Sequence, residues 1–188
     1  MRYLLPLTLA LLCGCVRGPQ PEFYQLPSPP LPADQPGPAV LLGPLQLADY
    51  LQRENLIQRH SAQRLELSQQ ARWAGSLEDD IGRLLLATLA TRLPSDNLAL
   101  YPDRVGFVAD AQLLVQIARL DSGPAQPAVL EARWRLLDAQ GRQRGSDLLR
   151  LEQAHDGSLE AQVAAQAELL RRLGERLAEA VRAMPAGS

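Results

Sequence analysis

The chain has 188 residues, 46% of them hydrophobic, and a formal net charge of −2. That is enough apolar material for one real core. With no basic excess, composition argues against a nucleic-acid partner.

The first residues read as an export signal. Arg2 supplies a positive start, and Tyr3 to Leu12 is apolar apart from Pro6 and Thr8. A bilayer core of about 30 Å needs about 20 apolar residues to span it, so this stretch is too short for a transmembrane helix. Leu12-Cys13-Gly14-Cys15 then resembles a lipobox, in which a small residue precedes the cysteine that is acylated. Cys13 is the poorer acceptor because the bulky Leu12 precedes it. Cleavage before Cys15 would leave a mature chain with no free thiol, and therefore with neither a disulfide framework nor a thiolate metal site. An ordinary secretory signal with incidental cysteines is the lesser alternative. Val16 stands where an aspartate would mark inner-membrane retention, which favours the outer membrane.

Residues 16–39 read as a tether. Nine of the chain's fifteen prolines fall between Pro19 and Pro44, a density that favours extended polyproline II. At about 3.1 Å per residue it would reach on the order of 70 Å from the membrane. Glu22-Phe23-Tyr24-Gln25-Leu26 interrupts it with two aromatics and is expected to dock on the folded body as a short strand, shortening that reach.

The expected domain organisation is a signal peptide over 1–14, a lipidated cysteine and tether over 15–39, and a single α+β domain over 40–188. Val40-Leu41-Leu42 predicts a first core strand closed by Gly43-Pro44, with an irregular or one-turn segment over 45–53. Leu56 to His60 and Arg64 to Leu67 predict a hairpin around Ser61-Ala62-Gln63. Ser76 with Asp79 makes a capping box, and Glu78, Asp79 and Asp80 suit the positive end of a helix. Leu77, Ile81, Leu84, Leu85, Thr88 and Leu89 then share one helical face, which Pro94 ends.

Three strands follow. Leu113, Val115 and Ile117 lie in a strand nearly apolar on both faces, as in a sheet centre. Leu130, Ala132, Trp134 and Leu136 alternate with Glu131, Arg133 and Arg135, giving one buried and one charged face. A third strand spans 146–154. Asp156-Gly157-Ser158 opens a last helix whose Leu159, Val163, Ala167, Leu170, Leu173, Leu177 and Val181 recur every three or four residues. The expected fold is an antiparallel sheet with two amphipathic helices packed on one face.

Residues patterned for chemistry are few. His60 and His155 are the only histidines, and neither has a ligand partner at i+3 or i+4. Glu78-Asp79-Asp80 begins a helix rather than a glycine-containing ligand loop, so capping explains it better than a cation. His60 and Ser61 are adjacent on a hairpin, a poor geometry for a catalytic pair. No nucleophile elbow, P-loop or dinucleotide fingerprint occurs. No metal, cofactor or enzymatic activity is expected. Trp134 sits on the apolar phase of its strand, and Trp73 just before helix one as a staple to the sheet; a partner-binding role is the minor reading for each. Arg133 and Arg135 read first as a solvated strand face, as does the mixed-charge outer face of the last helix.

Taken in order, these segments resemble a known family. Phe23-Tyr24-Gln25-Leu26 after a Pro-rich tether, Gly43-Pro44 leading to Asp49-Tyr50-Leu51-Gln52-Arg53, Arg72-Trp73-Ala74, Leu93-Pro94, Tyr101-Pro102, Ala132-Arg133-Trp134-Arg135-Leu136 and a long closing helix are similar to the auxiliary lipoproteins of ABC-type transport systems. The likeness is to the PqiC-like (paraquat-inducible protein C) group. Glu54 departs from an expected proline and Leu120 from a common aromatic. The resemblance implies an outer-membrane-tethered subunit of an MCE-type lipid trafficking system, docking the tip of an MCE-domain tunnel and forming a homo-oligomeric ring. Tyr50, Arg53 and Trp73 are the candidate docking residues under that reading. The competing expectation is a stand-alone periplasmic carrier of lipid or another hydrophobe. That would need an apolar cavity of a few hundred Å³, and the sequence offers no surplus lining for one.

Overall fold

The computed structural model describes residues 20–30, 37–93, 95–103 and 105–184. The signal peptide over 1–14, the lipidation site Cys15 and the helix stop at Pro94 lie outside the described residues.

The longest strands explain the architecture. β6 (Ala111–Gly123) and β7 (Gln126–Asp138) form an antiparallel hairpin, and β8 (Gln143–Gln153) pairs with the free side of β7. Leu113 opposes Leu136, Val115 opposes Trp134 and Ile117 opposes Ala132, so alternation places one continuous apolar face on the same side. All six residues are buried. β2 (Val40–Leu47) runs parallel to β6 along its other edge, with the short β5 (Leu98–Leu100) parallel outside it. β3 (Asn55–Arg59) and β4 (Leu65–Trp73) form a second hairpin, joined to β6 where Gln58 pairs with Ser122. β1 (Glu22–Tyr24) adds to β4 in parallel.

The fold is therefore α+β, as the sequence implied, with a mixed sheet of eight strands rather than a purely antiparallel one. The antiparallel expectation holds within the two hairpin units. The parallel pairs are what local periodicity could not reveal. β6 is central, flanked by β7 on one side and by β2 and then β3 on the other.

α1 (Leu77–Arg92) starts where Ser76 Oγ accepts a hydrogen bond from the Asp79 backbone N–H. α2 (Leu159–Arg182) starts where Ser158 Oγ does the same for Ala161. Each cap satisfies one of the first-turn donors that no helical carbonyl reaches. Ile81, Leu85 and Leu89 of α1 and Leu169, Leu170, Leu173 and Leu177 of α2 are completely buried. At about 1.5–3 kcal/mol for each fully buried large aliphatic side chain, these seven side chains outweigh any capping term. Among the described residues no helix is long and apolar enough to cross a membrane.

Two glycines permit close approaches. A Cβ on Gly123 would lie 1.9 Å from the Arg59 carbonyl oxygen, so only glycine lets β3 cross onto the end of β6. Gly43, at φ +113°, bends β2, and its pairing with β6 shifts between Leu42 and Leu45. The expected strand over 40–42 does not end there. It resumes at Leu45 and continues to Leu47.

Candidate functional site

The segment joining β2 to β3 carries two of the three candidate docking residues. The Ala48 N–H donates to the Ile117 carbonyl (3.0 Å) and Leu51 N–H to the Ala48 carbonyl (2.9 Å), closing a 3-10 turn over Asp49–Gln52 with Leu51 buried beneath it. Arg53 follows the turn and is exposed. Trp73 ends β4, just before the Ser76 cap of α1. It is buried, and its N–H donates to the Glu54 carbonyl at 2.7 Å.

Arg53 and Trp73 come together. With Phe23, Glu54, Arg72 and Glu78 they border a depression of about 550 Å³ at the end of the sheet. Phe23 is 64% exposed, although its neighbour Tyr24 packs against the core. Sequence reasoning missed Phe23 as a site residue. The signal was its phase: a strand docked through Tyr24 turns the preceding side chain outward.

Tyr50 does not border this depression. Its hydroxyl donates to Asp121 Oδ2 (2.9 Å) and accepts from the Leu120 N–H (3.3 Å). It belongs to a cluster around the fully buried Asp121 carboxylate. Arg59 Nε and Nη2 donate to Oδ1 and Oδ2 at 2.8 and 2.7 Å, and Arg119 Nε donates to Oδ1 at 2.9 Å. Burial alone would push the Asp121 pKa up, but the hydrogen bonds from Arg59, Arg119 and Tyr50 outweigh it and hold the group below the usual carboxylate range. Burial, then the Asp121 charge and hydrogen bond, push the Tyr50 hydroxyl well above its ordinary value. Every acceptor here faces a donor, so the cluster fixes the turn that presents Arg53.

A groove of about 980 Å³ lies between α1 and α2. Leu84 and Ala87 form one wall, Val163, Ala164 and Ala167 the other, and Pro27 and Pro29 of the tether lie along it. Arg171, on its border, is held between Glu168 and Glu175, which raise its pKa. No local pattern announces this groove, because small residues of two helices and two tether prolines create it jointly.

The polar residues first weighed for chemistry have structural partners. Ser61 Oγ accepts from the Arg64 N–H (3.2 Å) inside the β3–β4 turn, while His60 Nε2 lies 3.1 Å from Glu66 Oε2. His155 Nδ1 accepts from the Gly157 N–H at 3.0 Å. Asp80 is buried, bound by Arg83 and by Gln25 Nε2 of the tether. Among the described residues no group of three or more His, Cys, Asp and Glu is placed to hold a metal ion.

The arrangement defines a class: an open α+β sheet with helices on one face and an aromatic-and-arginine depression at one end. The chain belongs to the family of ABC-type transport auxiliary lipoprotein components, whose model matches residues 24–178. Its fold is similar to that of a crystallised uncharacterised protein (TM-score 0.69, 20% identity, 86% of this chain and 99% of the other). It is also similar to a Xanthomonas campestris protein (TM-score 0.64, 18% identity, 84% and 92%). No curated protein matches the chain by sequence.

Proposed function

We propose that this lipoprotein is a non-enzymatic docking subunit of an MCE-type intermembrane lipid transport system. The signal over 1–14 is removed, Cys15 is acylated, and the chain is held at the periplasmic face of the outer membrane by two or more acyl chains, as stable anchoring requires. Residues 16–21 and 27–39 are the tether, with β1 and Leu26 between them docked on the body of residues 40–188. The body captures the tip of an MCE-domain tunnel protein and assembles as a homo-oligomeric ring.

The observation that carries this reading is the meeting of Arg53, Trp73 and Phe23 in one depression at the sheet end. An exposed phenylalanine and arginine beside a buried tryptophan match the aromatic-and-arginine composition of interface hot spots. Membership in a transport auxiliary family supports the role, and the Arg59–Asp121–Tyr50 cluster supplies the rigidity.

The experiment is light scattering of the lipidated chain in detergent, alone and with the periplasmic region of the MCE protein from the same genome. A defined homo-oligomer that captures the partner, and loses it on Arg53→Glu, supports the proposal. A monomer that ignores the partner sinks it.

The carrier reading survives on one observation, the apolar groove between α1 and α2, whose volume suits a lipid chain. Native mass spectrometry of the purified chain discriminates: bound lipid lost on Ala164→Trp would move the carrier to first place.

A further inference from the structure

We propose that the uncovered face of the β6–β7–β8 sheet is a second docking surface, which takes an extended acidic segment of a partner protein. It shares no bordering residue with the Arg53 depression, and it stands or falls independently of the MCE reading.

Strand β7 treats its outward charges in two ways. Glu131, Arg133 and Arg135 all point from β7 away from the helices. Glu131 lies opposite Arg119 on β6 and Arg150 on β8, and it pairs with both. Arg133 lies between Gln116 and Leu148, and Arg135 between Leu114 and Ser146. No carboxylate stands at any of those four positions. Among the described residues neither guanidinium has an ion pair or a side-chain hydrogen bond, and both are exposed. The same strand thus neutralises its outward acid twice and leaves two outward bases unpaired.

The surroundings suit a protein rather than water. Leu148 is 71% exposed beside Arg133, and Leu114 is half-buried beside Arg135. A shallow groove of about 230 Å³ runs past Pro44, Gln46, Leu114 and the two arginines. Arginine is weakly hydrated and forks onto a carboxylate with two parallel hydrogen bonds, which is why it is enriched at interfaces. Residues two apart on a strand recur at about 6.6 Å. A second strand with carboxylates at i and i+2 matches that spacing, and flanking aliphatic residues would cover Leu148 and Leu114. A second copy presenting the same face would set arginine against arginine, so charge selects an acidic occupant.

The test uses the lipidated full chain in phosphatidylcholine nanodiscs and a fluorescein-labelled peptide of alternating glutamate and threonine flanked by leucines. Anisotropy should show saturable binding. A double variant, Arg133→Glu with Arg135→Glu, should weaken it about tenfold or more, and Leu148→Ser should weaken it severalfold. The same peptide with lysine for glutamate should not bind. Unchanged thermal unfolding of the double variant excludes misfolding as the cause, and Arg53→Glu should leave peptide binding intact. Four results would overturn the proposal: no saturable binding by the wild-type chain, equal binding by the double variant, phosphatidylglycerol vesicles bound as tightly through the same arginines, or a charge reversal that changes the mass of the chain's own assembly. The last two would assign the face to a membrane or to a second copy.

Discussion

Arg59 on β3 holds both oxygens of the Asp121 carboxylate on β6, with Nε at 2.8 Å and Nη2 at 2.7 Å. The carboxylate is wholly buried and the Arg59 side chain partly exposed. Backbone pairing between β3 and β6 amounts to one register position, Gln58 with Ser122, so the ladder alone ties the two hairpin units together weakly. The ion pair and the close approach at Gly123 bind them side chain to side chain and backbone to backbone.

Arg59→Ala should therefore cost about 1.5–3 kcal/mol, the range for lost hydrogen bonds to a charged group, because Arg119 and Tyr50 still hold the carboxylate. Urea unfolding at neutral pH measures it. Replacing Arg59 and Asp121 together by leucine should cost less, because no buried carboxylate is then left short of donors, and what remains is the lost acceptor of Arg119 and Tyr50. A double variant as damaged as the single one would show that the site needs the ion pair itself.

Tyr50 gives an alkaline signature. Its folded-state pKa is raised by burial and by Asp121, so its contribution to stability is complete below the ordinary value of 10.0 and is lost as pH climbs above it. Tyr50→Phe should cost about 1–2 kcal/mol at neutral pH through two lost hydrogen bonds and should flatten the decline above pH 10. Urea midpoints at pH 8 and pH 10.5 would show both effects. If Tyr50 acts by positioning the turn that presents Arg53, this variant weakens partner capture while Arg53→Glu abolishes it.

Asp138 gives the acid counterpart. It closes the β7–β8 turn, with Oδ1 accepting from the Gln140 and Arg142 N–H groups and Oδ2 from the Arg142 and Arg144 side chains. Burial opposes ionisation, but those four donors hold the pKa at about 2, below the ordinary 3.8. Its stabilisation is present above pH 3.8 and disappears as pH falls toward 2. Thermal midpoints across that interval should fall more steeply for the natural chain than for Asp138→Asn. Equal slopes would remove Asp138 from the account.

What was legible in the sequence was local. Ser76 and Ser158 announced both helix starts, and period-two alternation announced the β6–β7–β8 unit, because caps and alternation are written within a few residues. Parallel pairing is not. β2 meets β6 some seventy residues away, so Val40 to Leu42 looked like a complete strand, and the resumption at Leu45 was invisible without its partners Val115 to Ile117. The second hairpin strand was expected to end at Leu67 for the same reason: β4 runs on to Trp73, where Tyr24 pairs with it from the tether. The depression at the sheet end needed that long-range pairing. Arg53 and Trp73 could be named from resemblance, but Phe23 became a site residue only once β1 had docked.

The helix interface offers the sharpest stability test. A Cβ on Gly174 of α2 would lie 2.8 Å from Thr88 Cγ2 and 2.9 Å from Thr88 Cβ on α1. Thr88 is buried and its hydroxyl donates to the Leu84 carbonyl at 2.8 Å, so it has no room to turn away. Gly174→Ala gains about 1 kcal/mol of helix propensity but forces two packed helices apart, at about 1–3 kcal/mol. The second effect should win, lowering the melting temperature by a few degrees. Gly82→Ala makes the same propensity gain, yet the atoms nearest its Cβ are the methyl ends of Leu100 and Leu45, at 3.0–3.3 Å. Those flexible tips can yield, so this variant should be near neutral or stabilising. Differential scanning calorimetry of the pair decides the point: Gly174→Ala melting above Gly82→Ala would mean that α1 and α2 separate without cost.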